Sequence, residues 1–540
     1  MLSTLLLAAA LQFTPPVAYD VTLAGNFGEP RPHHFHGGID VKTGGVEGKA
    51  ILSIADGYVS RVTVGLYGFG NAIYVQHPGG YTSVYCHLKR FSPQITAAVR
   101  RWQYKHQCSS VDVKLKPTEC PVAMGQVIAT SGNTGSSQAP HLHLEVHDTK
   151  TWDMLDPLDY LRDFVDDKMP PQAHGFMAYP VQGEGLFNGG SNKQNFGFSS
   201  HHLQREFYAW GKVGFAIWAN DYMEATYNHY GIRYTQLKVD GREVFWSDMN
   251  RVPVTMNRLV NSWGDYWHKQ RSNVWYMKSF VEPGNYLPVL HTDENRGIID
   301  FNEERDYQLV YTISDFANNT SEYSFTVRGR KQALPLKKTV NTVRLMRWDR
   351  VSYYNLPGMH LRIPRRQLPD HVELQPYVRG GTYSNIYRFY GASYPLFTGA
   401  TISLKCRLKV QNPEKLYVVC LLGTKKYLGG VYKDGWVTAT IRDLGYDYEL
   451  DYDNEPPRVS LACSGETITA GVTDQKSGVN SFQAFVDDHF VLFEPVGKSQ
   501  LLRCRLSESP IRKTGQTHKL RFVAVDNRNN KKTIETLIKY

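Results

Sequence analysis

His141-Leu142-His143-Leu144-Glu145 is the stretch that decides how this chain folds. Side chains alternate across a β-strand, so His141, His143 and Glu145 share one face while Leu142 and Leu144 share the other. The leucines fit a strand backed onto a hydrophobic core. Two imidazoles and a carboxylate on the opposite face fill a core badly and hold a cation well. An isolated HxH pair is a weak signal, because hydrogen-bonded surface histidines are common. Two further segments add weight. His36-Gly37-Gly38-Ile39-Asp40 puts a histidine and an aspartate four apart, in a glycine-flanked setting that lets the backbone bend and both side chains reach one ion. Tyr85-Cys86-His87-Leu88 adds another histidine. Nitrogen and oxygen donors of this kind suit Zn²⁺, which takes four tetrahedral partners at about 2.0–2.2 Å. His36, Asp40 and one histidine of the HxH pair supply three, leaving a position for water, as in catalytic zinc sites.

Working outward, short β-branched and aromatic runs at 50–55, 58–64, 71–76, 81–87, 126–130 and 141–147 are divided by turn signals such as Asp56-Gly57 and Pro78-Gly79-Gly80. One insertion breaks the pattern. Residues 91–108 begin at Ser92-Pro93 and space Ile95, Val99 and Trp102 as a helix does. The reading is a compact antiparallel β-sheet domain over 19–165 with one inserted helix. The polar, proline-containing stretch 166–172 closes it. Further β-patterned blocks at 174–330 and 339–453 flank a linker at 331–338. Asn454-Glu455-Pro456-Pro457 then opens a last block, 454–540, of a size typical of immunoglobulin-like sandwiches. The fold class is therefore mainly β, with two or three β-sandwich domains after the first. No fixed-period repeat is evident, and the downstream blocks show no clustered His, Cys or carboxylates at ligand spacing.

The order HxxxD, then YxHL, then a glycine-rich turn, then HLHxE resembles the lysostaphin-like (LytM-type) zinc endopeptidases. The intervening segments Ala55-Asp56-Gly57-Tyr58-Val59, Gly68-Phe69-Gly70-Asn71 and Gly132-Asn133-Thr134-Gly135 fit the same pattern. The resemblance covers about residues 25–160. It implies that His36, Asp40 and His143 ligate zinc and that His87 and His141 are the catalytic pair beside it. It also implies that the partner is bacterial peptidoglycan, at a stem peptide or crosslink. Glu145 either orients His87 or His141 or forms a plain salt bridge on the strand face. Cys86, next to His87, is expected to point into the core, which disfavours a cysteine nucleophile. His33 and His34 read as surface residues, and His77 and His147 as structural ones. The alternative to an active enzyme is a silent peptidoglycan-binding or hydrolase-activating relative.

Composition narrows the setting. The chain has 540 residues, 41% hydrophobic and 21% charged, which is ordinary for folded protein. The +10 net charge sits downstream of residue 165, since acidic and basic residues balance before it. The basic stretch 513–532 is interrupted by apolar strand residues, so no nucleic-acid stripe is read there. No run of about 20 apolar residues exists, which leaves no transmembrane segment. Residues 1–18, with the apolar MLSTLLLAAAL at their start, read as a signal peptide that lacks a basic start. Export to a periplasm or the cell envelope follows, with the outer surface or secretion also open. The C-terminal β domains read as modules for an envelope partner. Among seven cysteines, spacing suggests Cys108–Cys120, Cys406–Cys420 and Cys463–Cys504, with Cys86 left over.

Overall fold

Seven strands carry the N-terminal domain: β1 (Leu23–Gly25), β2 (Ile39–Lys42), β3 (Gly57–Val64), β4 (Ala72–Gln76), β5 (Tyr81–Cys86), β6 (Val111–Lys114) and β7 (His141–Asp148). They form an antiparallel sheet in the order β1-β2-β7-β5-β4-β3-β6, in a computed structural model that describes residues 12–540. The decisive strand, β7, lies between β2 and β5. Its register sets His143 opposite both Asp40 and Cys86, and Leu144 opposite both Ile39 and Tyr85. Leu142 and Leu144 are fully buried with Ile39, Val41, Val59, Ile73, Val75 and Tyr85. Burying each leucine contributes about 1.5–3 kcal/mol, and the alternation then forces His141, His143 and Glu145 onto the other face.

The glycines of the HxxxD motif serve space rather than bending. A Cβ on Gly38 would lie 2.1 Å from the Leu144 carbonyl oxygen, and one on Gly37 would lie 2.7 Å from Glu145 Oε1. Neither glycine has a positive φ. We expect Gly38→Ala to push β2 off β7 and lower both the thermal midpoint and metal content, read by a melt and by metal analysis of the same sample.

The inserted helix, α1 (Pro93–His106), begins at a proline in its first turn and ends on left-handed Gln107. It is shorter at each end than the expected 91–108, and Ile95, Ala98 and Val99 are its buried apolar side. The insertion also supplies β6, which pairs with β3 at the sheet edge. α1 points toward the last domain. Arg100 Nη1 pairs with Glu494 at 2.9 Å, Gln483 Nε2 donates to the Gln107 carbonyl at 2.8 Å, and the Tyr104 and Phe490 rings meet edge-on at 5.7 Å.

Downstream the chain is β-rich throughout, as expected. Residues 172–329 form one continuous sheet around a phenylalanine-rich core; it includes a parallel pairing of His202–Asn220 with Thr320–Gly329. Residues 345–452 contain two five-stranded sheets, and 458–539 two four-stranded ones. The first two blocks are not separate bodies. Met154–Leu155 pairs with Arg251–Val252, and Phe27, Phe35 and Met154 share a core with Met249, Val252, Trp263 and Phe397.

Two sequence expectations need correction. A leader ending at residue 18 would remove packed structure: Val17 is 2% exposed, Thr14 N donates to Ile54 O, and Leu52 N donates to Pro16 O. The apolar start, residues 1–11, lies outside the described residues. The cysteine pairs are also absent, all seven being thiols. Cys463 and Cys504 flank the strand Thr467–Thr473, each opposite Ile468. Two strand spacings of about 4.8 Å exceed the roughly 7 Å that a disulfide spans.

Candidate metal centre and active site

β2, β7 and the turn before β2 bring His36, Asp40 and His143 together, all buried. His36 Nε2 lies 3.1 Å from Asp40 Oδ1 and 3.0 Å from His143 Nδ1, and His143 Nδ1 lies 2.8 Å from Asp40 Oδ1. Each imidazole is committed on its far side. His36 Nδ1 faces the Asn26 carbonyl at 2.6 Å, and His143 Nε2 faces Glu145 Oε1 at 3.0 Å. Donating an N–H to those oxygens leaves a lone pair on each inward nitrogen. Two imidazole lone pairs and a carboxylate oxygen then converge, a donor set that a metal cation satisfies. A tetrahedral ion with bonds of about 2.05 Å separates its ligands by about 3.3 Å, so a small closure-relaxing shift of these side chains suffices. The residues fit zinc.

The electrostatics agree. Burial alone would raise the Asp40 carboxyl, but the charge of His36 and hydrogen bonds from His141, His143 and His36 reverse this and hold it far below the usual range. Burial lowers His36 to about 4, against an opposing pull from Asp40. Burial also acts to lower His143, yet hydrogen bonds to Asp40 and Glu145 outweigh it and raise it to about 9. Without metal, the cluster therefore keeps its proton on His143. A metal must displace that proton, so zinc affinity should rise by roughly tenfold per pH unit up to about pH 9. Chelator competition at pH 6, 7 and 8 checks this; a flat profile contradicts it.

Beside the cluster stand the other two expected residues. The His87 and His141 ring centres are 5.0 Å apart, and His87 is 5.9 Å from His143. His141 Nδ1 faces the Ala139 carbonyl at 2.8 Å, and its Nε2 is 3.3 Å from Asp40 Oδ1. His87 Nδ1 faces the Thr134 carbonyl at 2.9 Å. Burial lowers His87 to about 4, with the charges of His143 and His141 adding to it. His87 has a φ of 61°, a left-handed conformation rare for a side chain of its size, held by its N–H donating to the Phe69 carbonyl at 2.9 Å. The loops that fix it are in intimate contact. A Cβ on Gly135 would meet Gly68 O at 2.3 Å, and both Gly70 and Gly135 have positive φ.

Cys86 lies in a core, as expected, though not the main one. The thiol is fully buried but faces the same side as His143, in a small cluster with Ala72, Tyr74 and Val84. Strand alternation ends at Cys86, so His87 is not simply its opposite. Burial and the charges of Glu145 and Asp40 push the thiol well up, which removes it as a nucleophile.

Glu145 orients neither His87 nor His141. Its two oxygens accept from His143 Nε2 at 3.0 Å and His147 Nε2 at 2.7 Å, so it steadies a candidate ligand, and His147 steadies it in turn. Glu145→Gln is expected to weaken zinc binding about 10- to 100-fold while the sheet stays intact, measured by zinc titration alongside a melt. His77 is structural as read, bridging the Asp56 carbonyl and Ser83 Oγ. His33 is only partly a surface residue, since its Nε2 reaches Tyr266 Oη at 3.3 Å.

Sequence reasoning missed three supports. Arg31 Nη2 donates to Asp40 Oδ2 at 2.8 Å, which reserves Oδ1 for the cluster; no spacing rule links the two. Asn26, whose carbonyl faces His36, exchanges two 2.8 Å hydrogen bonds with the Gly231 backbone, so the second block helps hold the site. Lys498 Nζ of the last domain donates to the Gly135 and Ser137 carbonyls at 2.7 and 2.5 Å. Downstream carboxylates do cluster, contrary to expectation: Asp167 with Asp221 and Asp315, and Asp453 with Asp474 and Asp526.

Residues 34–157 match peptidase family M23, and residues 343–453 match the Zu5-like domain. An uncharacterized metalloprotease of Haemophilus influenzae is 30% identical over 135 residues, 25% of this chain and 22% of that protein. The murein hydrolase activator NlpD of Escherichia coli is 34% identical over 124 residues, 23% of this chain and 25% of that one. The chain thus spans about a quarter of the length of these curated relatives. The catalytic domain of lysostaphin from Staphylococcus simulans is 24% identical, with a TM-score of 0.19, over 25% of this chain and 89% of that one. Over residues 34–157 the chain therefore carries the sequence pattern of peptidase family M23, ahead of further β-rich domains.

Proposed function

We propose that the chain is a zinc-dependent endopeptidase that hydrolyses peptide crosslinks of bacterial peptidoglycan. The observation that carries this reading is the convergence of His36 Nε2, Asp40 Oδ1 and His143 Nδ1 with two further imidazoles alongside. His36, Asp40 and His143 would hold the ion. Zinc bound there supplies a Lewis acid that polarises a scissile carbonyl and acidifies a water.

The rest falls to the chain's own groups. His87, with Nδ1–H committed to Thr134 O and a lowered pKa, is neutral at physiological pH and presents Nε2 as a proton acceptor. His141 is anchored through Nδ1 in the same way and presents its own Nε2 toward Asp40. The pair handles the proton taken from the attacking water and returned to the leaving amine. Phe69, 37% exposed and stacked 5.9 Å from His143, offers an apolar wall to a substrate side chain.

Peptidoglycan as substrate and the cell envelope as location rest on the family match. No helix among the described residues is long and apolar enough to cross a membrane. We read the downstream β domains as positioning modules for an insoluble substrate. A non-hydrolytic, hydrolase-activating role is the second reading, favoured by the likeness to a murein hydrolase activator. Turbidity of purified sacculi separates the two. Zinc-loaded protein should clear them and chelator-treated protein should not; equal, negligible clearing by both supports the activator.

A further inference from the structure

Asp167 lies in the link between the peptidase domain and the second block, Asp221 just after the strand His202–Asn220, and Asp315 in the turn between Asp306–Ser314 and Thr320–Gly329. One carboxylate oxygen from each lies within 4.8 Å of the others. Asp221 is 0% exposed, and neither of its carboxylate oxygens has a hydrogen-bond partner. Asp167, 7% exposed, leaves Oδ2 unpartnered as well. The cation next in sequence, Lys168, pairs outward with Asp166. Burying an unpaired carboxylate is costly, and three together are worse. Deprived of a counter-charge, burial and mutual repulsion raise Asp221 to about 9 and Asp167 to about 7.

The same arrangement recurs at the far end of the chain. Asp453 precedes the last domain, Asp474 follows the strand Thr467–Thr473, and Asp526 ends Thr517–Asp526 at its turn into Lys531–Lys539. The correspondence extends to the hydrogen bonds around two of the three carboxylates. Asn319 Nδ2 donates to Asp315 Oδ2 and to the Asp167 carbonyl; Asn530 Nδ2 donates to Asp526 Oδ2 and to the Asp453 carbonyl. Met169 N donates to Asp167 Oδ1, and Glu455 N to Asp453 Oδ1. In the second cluster Ser477, whose amide donates to Asp453 Oδ2, keeps a buried hydroxyl without a partner. Two domains with different sheet topology each place three carboxylates where the preceding link enters.

We propose that Asp167, Asp221 and Asp315 bind one Ca²⁺, and that Asp453, Asp474 and Asp526 bind a second, each ion tying an interdomain link to the domain that follows. The donors are all oxygen, which suits a hard cation of six to eight ligands and not zinc. Both Asp221 oxygens and Asp167 Oδ2 lack partners and are free to ligate, with waters completing the shell. This assignment is independent of the peptidase reading.

Calcium titration of the zinc-loaded full chain, in buffer containing magnesium, tests it. The expected stoichiometry is two Ca²⁺ per chain. Asp221→Asn and Asp474→Asn should each reduce it to one, and the double variant to none, while His143→Ala keeps both. Because Asp221→Asn removes a repelling charge, it should fold without calcium. Should it fail to fold, the wild-type melt decides: calcium should raise the midpoint, and a midpoint unmoved at millimolar calcium overturns the proposal. No uptake at millimolar calcium, or a stoichiometry unchanged by both substitutions, overturns it too.

Discussion

His36→Ala, Asp40→Ala and His143→Ala chains are expected to emerge from purification without zinc and to release no soluble fragments from sacculi. The reason is geometric. Each residue contributes one of three inward lone pairs, and each is aimed by a partner on its far side: the Asn26 carbonyl for His36, Arg31 for Asp40, Glu145 for His143. Deleting one leaves two protein donors, too few for a site that must also keep a position open. The fold should persist, because the core face of β7, Leu142 and Leu144, is untouched. A melt near the wild-type midpoint together with absent zinc is the expected pair of results. Zinc retained in the His143→Ala chain would break the ligand assignment.

The second large effect separates holding the ion from moving the proton. His87→Ala and His141→Ala should each keep about one zinc per chain and lose turnover by about 10²- to 10⁴-fold, the usual worth of a positioned acid or base. For His87 the argument is distance and fixation: its ring sits 5.9 Å from His143 and is tied to the 134–135 loop, not to the cluster. His141 is the sharper case, because its Nε2 is only 3.3 Å from Asp40 Oδ1. Loss of zinc from His141→Ala would make it a ligand and overturn the division of roles. Metal analysis and turnover measured on one preparation give both answers.

How much of this was legible in the chain follows from which signals are local. Strand alternation is local, and it correctly placed the leucines of β7 inward and the histidines outward. That the HxxxD and HLHxE stretches converge came from motif order; their pairing as neighbouring strands, with Asp40 opposite His143, is what the structure adds. What failed depended on backbone conformation or on distant chain. Cys86 is buried as expected, yet on the face of His143, because the left-handed φ of His87 breaks the alternation from which the opposite face was read. Of the two roles read for Glu145, the structure shows the pairing along its own strand face, with His143 and His147, and not the orienting of His87 or His141. Arg31 and Asn26 support the cluster from loops without a period. The acid clusters were invisible because their members are far apart in sequence; only the shared D-x-x-x-N of Asp315–Asn319 and Asp526–Asn530 hinted at them.

The chemistry of the convergent site carries the proposed function. Defined crosslinked muropeptides incubated with zinc-loaded wild type and with His143→Ala, followed by mass spectrometry, test it. Wild type should yield two fragments whose masses sum to the substrate plus one water, cut at a peptide bond, and His143→Ala should leave the substrate whole. Identical cleavage by both proteins, or none by zinc-loaded wild type, would contradict it.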